Sequence, residues 1–164
     1  MKVSCLREMT NNMYLYHGSA KKFSKLKRQQ AFSPAGRPPE EGRNAIYLTP
    51  DFAFALISGA RPEGITEVNH NARTVRFENP EKFDQRRKVY IYFINPFKIP
   101  KDKIIWIDER QVAVDLDEIE PDRVEIHYAI EVVKYYKIDQ ISLQIYLPLA
   151  LKLMKQLERL PLQK

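Results

Sequence analysis

With 164 residues, 44% of them hydrophobic, the chain fits one globular domain with a real core. A net charge of +6, from 27 basic and 21 acidic residues, favours polyanionic partners such as nucleic acid or a phosphate-bearing ligand. The lone cysteine, Cys5, excludes an internal disulfide framework and gives no ligand set for a zinc cluster, which suits a reducing cytosol. No uninterrupted apolar run approaches the roughly 18 residues of a membrane-spanning helix, so the expectation is a cytoplasmic protein without membrane contact and without a metal.

In chain order, residues 1–12 read as a flexible polar leader with no signal-peptide core and a short strand at Val3–Leu6. Met13 to Ser19 begins apolar and alternating, as a half-buried strand does, and is expected to end at His17-Gly18-Ser19, where a turn exposes main-chain groups. Gly18 has no Cβ, so a flat ligand can lie on the main chain there and present an amide to the Gly18 N–H and C=O. Ala20 to Asn44 is a long loop of lysines and arginines broken by prolines and glycines. Arg37 and Arg43 are its natural pyrophosphate contacts, because a guanidinium fork matches two phosphate oxygens.

Ala45 to Thr49 is a second short strand. Thr49 is the expected N-cap of a helix that opens on Pro50-Asp51, carries Phe54 and runs to about Gly59. Residues 61–87 read as an irregular excursion with one strand at Arg73–Phe77, and His70 as a surface histidine. Lys88 to Ile94 is apolar nearly throughout and rich in β-branched and aromatic residues, hence a central strand. Further strands are expected at Lys103–Ile107 and within Gln111–Leu116, then an acidic turn from Asp115 to Asp122. Arg123 to Tyr128 alternates, directing Val124, Ile126 and Tyr128 to the core and Glu125 with His127 to a cleft. A second strand is expected at Ile130–Ile138. Pro148 to Leu160 carries leucines at helical spacing, as a C-terminal helix that caps the sheet or joins two copies in a dimer.

Three of these features coincide: Tyr16-His17-Gly18-Ser19 on a first strand, Asn44-Ala45-Ile46-Tyr47-Leu48-Thr49 followed at once by an alanine-bearing helix, and Glu125 on a late strand. Together they resemble the ADP-ribosyltransferase superfamily, in the branch of diphtheria toxin, the poly(ADP-ribose) polymerases and the small rifamycin-modifying enzymes, whose triad is His, Tyr and usually Glu. The resemblance spans most of residues 14–138 but is motif-like only in these short stretches. It implies an α+β fold, a split β-sheet of two packed, mostly antiparallel sheets with few helices, in a single domain over residues 1–164. It also implies NAD as substrate, no metal, and mono-ADP-ribosyl transfer with His17, Tyr47 and Glu125 as the catalytic set. His17 would hydrogen-bond the adenosine-side ribose, Gly18 would clamp the carboxamide, Tyr47 would stack on the nicotinamide, and Ser19, Arg37, Arg43 and Phe54 would complete the cofactor contacts. Glu125 would stabilise the oxocarbenium-like sugar or deprotonate the acceptor, with Glu131 and Asp102 as rivals for that role. Nucleic acid, protein and small molecules stay open as acceptors. So does an inactive module of the same fold that binds NAD, ADP-ribose or nucleic acid.

Overall fold

The computed structural model describes residues 14–30 and 44–139, together with Lys155. The leader, Arg37, Arg43 and, apart from Lys155, the helix expected at 148–160 lie outside the described residues. Within them the fold is α+β and its sheets are mostly antiparallel. No described helix is long and apolar enough to cross a membrane.

The strands are β1 (Leu15–Ser19), β2 (Leu26–Lys27), β3 (Gln29–Gln30), β4 (Asn44–Leu48), β5 (Thr66–Asn69), β6 (Thr74–Phe77), β7 (Lys88–Ile94), β8 (Ile104–Trp106), β9 (Val112–Val114), β10 (Glu118–Ile119), β11 (Arg123–Tyr128) and β12 (Lys137–Ile138). They form a three-stranded sheet β1-β7-β11, a four-stranded sheet β3-β4-β9-β8, a small sheet β12-β6-β5 and the pair β10-β2. As its composition requires, β7 is central: Val89, Ile91, Tyr92 and Ile94 are completely buried. Burying each such side chain contributes roughly 1.5–3 kcal/mol. The α-helix α1 (Phe52–Ala60) follows β4 directly and lies over β1 and β7.

Two cores result. Ala55, Leu56 and Ile57 of α1 pack with Val89, Ile91, Val75 and Phe77 on one face of the β1-β7-β11 sheet. On its other face, Leu15, Tyr92 and Ile94 meet Ile46, Leu48, Val112 and Val114 of the four-stranded sheet. The chain's glycines allow the helix its approach. A Cβ on Gly18 would stand 1.7 Å from the Ala55 carbonyl oxygen, and one on Gly59 would stand 2.9 Å from the Ser19 nitrogen. The face of Gly18 that the sequence offers to a flat ligand is therefore taken by α1.

Several local expectations are corrected. The helix is capped by Asp51, whose Oδ1 accepts from the Ala53 and Phe54 N–H groups; Thr49 instead pairs with Tyr16, and its Oγ1 accepts from the Asp51 N–H. Residues 61–87 hold a second strand, β5, paired with β6 through a turn in which Arg73 has φ +53°. In place of a strand from Ile130, a 3-10 helix runs over Ala129–Lys134, because the Glu131 carboxylate accepts the Tyr128 N–H at 2.6 Å and closes a capping box. Only Lys137–Ile138 then returns to a sheet, parallel to β6.

Candidate functional site

β1 pairs with β7 along its whole length, but with β4 only through Tyr16 and Thr49, whose main chains exchange hydrogen bonds of 2.8 and 2.9 Å. Main-chain groups in a strand alternate in direction. Tyr16 points its N–H and C=O at β4, and the matching Phe93 carbonyl turns the other way and accepts from Asp122 N. Gly18, two residues on, therefore directs its N–H and C=O toward β4 as well. A continued ladder would set that N–H against the Tyr47 carbonyl. The ladder stops instead, and the Tyr47 carbonyl accepts from His17 Nδ1 at 2.9 Å. The imidazole thus takes the acceptor that would have closed the sheet, and the Gly18 edge faces the place where the two strands part. His17 lies within β1 and not at a strand end.

A carbonyl only accepts, so Nδ1 carries the proton and Nε2 is left as an acceptor. Burial lowers the pKa of His17 below the usual histidine value, and the bond to Tyr47 opposes this only in part, so the ring is neutral at pH 7. Its neighbour across β7 is Tyr92, with ring centroids 6.0 Å apart. The hydroxyl of Tyr92 is fixed in turn by the Phe23 N–H and the Lys21 carbonyl. Ser19 Oγ accepts the Lys21 N–H and shapes the turn out of β1.

Alternation places the Tyr47 side chain opposite Ile46 and Leu48, on the α1 face, whereas His17 shares the Leu15 face. Imidazole and phenol are therefore joined through the Tyr47 main chain. Glu125 is not brought to them. Its row across the sheet is Gly18, Ile91, Glu125, with Ile91 fully buried, while the His17 row is Tyr92 and Val124. Two strand spacings separate Gly18 from Glu125, roughly 10 Å between Cα atoms, under α1. There Glu125 Oε1 pairs with Arg123 at 3.1 Å and Oε2 with His127 Nε2 at 2.9 Å. The apolar partners on the same strand also differ from expectation, since Ile126 is 45% exposed. Glu131 is held by His127 and Tyr128 N–H, and Asp102 lies exposed before β8, at the end of the β8-β9 hairpin away from its turn.

On the other flank of α1 is a cavity of about 260 Å³ bounded by Phe54, His70, Asp108, Glu109, Arg110 and Gln111. The β4-β9 register brings Gln111 next to Thr49, the residue that bridges to Tyr16, so the cavity adjoins the parting of the strands. The rings of Phe54 and His70 meet edge to face at 5.1 Å. His70 is thus no simple surface histidine: burial first, then the charge of Arg110, lowers its pKa. Arg110 and Arg73 both reach Asp51 Oδ2, at 3.5 and 3.4 Å. Asp108 Oδ1 accepts the Arg110 N–H, and Glu109 is exposed with no ion pair to another described residue. Of the expected cofactor contacts, Phe54 lines this cavity. The turn Asp108–Gln111 was not signalled as a site, being a short polar connection whose neighbour across the sheet only the strand order reveals. No group of His, Cys, Asp and Glu suited to a metal occurs among the described residues.

No family model matches the chain, and no curated protein or solved structure resembles it significantly.

Proposed function

We propose that the chain is an NAD-dependent mono-ADP-ribosyltransferase of the split-sheet kind, with the nicotinamide end of NAD held where β1 parts from β4. The observation that carries this reading is the Gly18 edge: a main-chain donor and acceptor turned toward the gap, with His17 occupying the Tyr47 carbonyl that would otherwise close it. A carboxamide needs one acceptor and one donor side by side, which is what such an edge offers. Neutral His17 would accept a ribose hydroxyl through Nε2, and Phe54 would supply apolar wall beside the ring.

In the reaction the bond between ribose C1′ and the nicotinamide nitrogen breaks, its electron pair leaving with nicotinamide. The acceptor's lone pair forms the new bond to C1′, and its proton passes to a carboxylate. We assign that carboxylate to Glu109, on the cavity side of α1, in place of Glu125 on the far side. A cytosolic enzyme acting on a polyanionic or a small-molecule acceptor remains within this reading.

Nicotinamide release from NAD tests it. Wild type and Glu125→Gln should release nicotinamide at similar rates, and Glu109→Gln should be slower by about 10²-fold, the usual cost of removing one charge-stabilising group. A chain that neither releases nicotinamide nor gains thermal stability with NAD or ADP-ribose overturns the proposal. A second reading, a binding module without turnover, is favoured by the engagement of Glu125 with Arg123 and His127. Stabilisation by ADP-ribose without release in wild type would select it.

A further inference from the structure

Outside that site the described residues hold a second group of ionisable side chains, the row Arg123, Glu125, His127 on β11, closed by Glu131 and Lys134 of the 3-10 helix. His127 is bonded at both ring nitrogens to carboxylates, Nδ1 to Glu131 Oε1 at 3.1 Å and Nε2 to Glu125 Oε2 at 2.9 Å. A carboxylate only accepts, so both bonds exist together only when the imidazolium carries both protons. Removing one sets a lone pair against an anion and breaks one of the two contacts.

The same ring meets Phe52, the first residue of α1, edge to face at 5.2 Å, and Phe52 also packs against Tyr135 and Tyr16. Three residues further along the helix, the Ala55 carbonyl rests on Gly18. One element of nine residues thus joins the imidazole to the strand edge of the site.

We propose that His127 is a proton-operated latch: protonated, it ties β11, the 3-10 helix and the N-terminus of α1 together, and its deprotonation loosens α1 over Gly18. The charged and titratable groups around it are Arg123 and Glu125 on its own strand, Glu131, Lys134 and Tyr135 beyond it, Tyr14 and Tyr16 from β1 and the residue before it, Lys88 across β7, and Asp51 at the helix cap, which is engaged by Arg73 and Arg110. Burial works against the charge on His127, but the hydrogen bonds to Glu131 and Glu125 and their charges outweigh it and raise its pKa. The latch is therefore closed below the ordinary histidine range and opens as pH rises through the raised value.

The link to the site rests on the reading given above, but the latch can be tested without NAD. Protection factors of α1 amides, which divide out intrinsic exchange, should fall roughly tenfold as pH rises through the His127 titration seen by NMR, the scale of losing one charged hydrogen bond. In His127→Gln they should not change with pH, and in Glu131→Gln the His127 titration should move to lower pH. Flat protection of α1 in wild type, or a titration of His127 that Glu131→Gln leaves in place, overturns the latch. Calorimetry with ADP-ribose then separates the two proposals: affinity that weakens with rising pH in wild type alone confirms the link. No binding at any pH, with α1 still responding, sinks the nucleotide site and leaves the latch standing.

Discussion

The two flanks of α1 handle polar atoms in opposite ways. On the β11 side, Glu125, His127 and Glu131 match every donor with an acceptor, and Arg123 is laid 3.9 Å over the Phe93 ring. On the β4 side, a strand edge turns toward a gap, two arginines reach one carboxylate oxygen at long distance, and Glu109 has no ion pair among the described residues. Both flanks carry a histidine and carboxylates, so residue type alone does not distinguish them. Hydrogen bonding does: on the β11 side the polar groups bond to one another, whereas Glu109 on the β4 side is exposed to solvent.

The largest effect expected is at the seam between the flanks. Gly18→Ala sets a Cβ 1.7 Å from main chain that cannot rotate away, so α1 must shift, and a loss of about 3 kcal/mol in urea unfolding follows. Gly64→Ala is the control, at φ +103° in an exposed turn and opposed by the side chains of Asn79 and Glu78. It should cost about 1 kcal/mol. Equal losses would mean that α1 is not held against β1 as tightly as the contact implies. Next is Glu131→Gln, which removes a largely buried charge from the Tyr128 N–H and the imidazolium, for about 2 kcal/mol in the same measurement.

The histidines of the two flanks should respond to pH with opposite sign. His17 has a lowered pKa, so its contribution is present above the unfolded value near 6.5 and is lost as pH falls. His127 has a raised pKa, so its contribution is complete below about 6.5 and is lost as pH rises through the folded value. Melting temperatures across pH 5 to 9 should show it. Relative to wild type, His17→Gln flattens the acid side and His127→Gln the alkaline side. Two variants flattening the same side would refute the contrast.

Much of the frame was legible in the residues. β7 was readable because an apolar run reports burial directly, β11 was readable as a strand from its alternation although its burial does not follow that alternation, and the adjacency of β4 to α1 followed from Pro50-Asp51. β5 was not, because Thr66-Glu67-Val68-Asn69 has one apolar residue and becomes a strand only by pairing with β6. The cap was misplaced for a long-range reason: Thr49 and Asp51 are both good caps locally, and the bridge from Thr49 to Tyr16 decides between them. At the proposed site, the short motif singled out His17 and Gly18, and the structure joins His17 to the Tyr47 carbonyl beside the Gly18 edge. Which carboxylate joins them depends on which strand lies on which side of α1, and that information is in the sheet order alone.

The smallest effect expected is the sharpest test of the contrast. Glu125 and Glu131 hold the two nitrogens of one imidazole, yet their side chains are 39% and 13% exposed. Water can replace much of what Glu125 provides, so Glu125→Gln should cost under about 1 kcal/mol, less than Glu131→Gln. The amide oxygen can still accept from His127 or Arg123, so the imidazole keeps its place while losing one charge beside it. Nicotinamide release should not change, because the residue stands on the satisfied flank. A large loss of release with so small a loss of stability would return Glu125 to the reacting centre, and would mean that α1 moves aside to admit it.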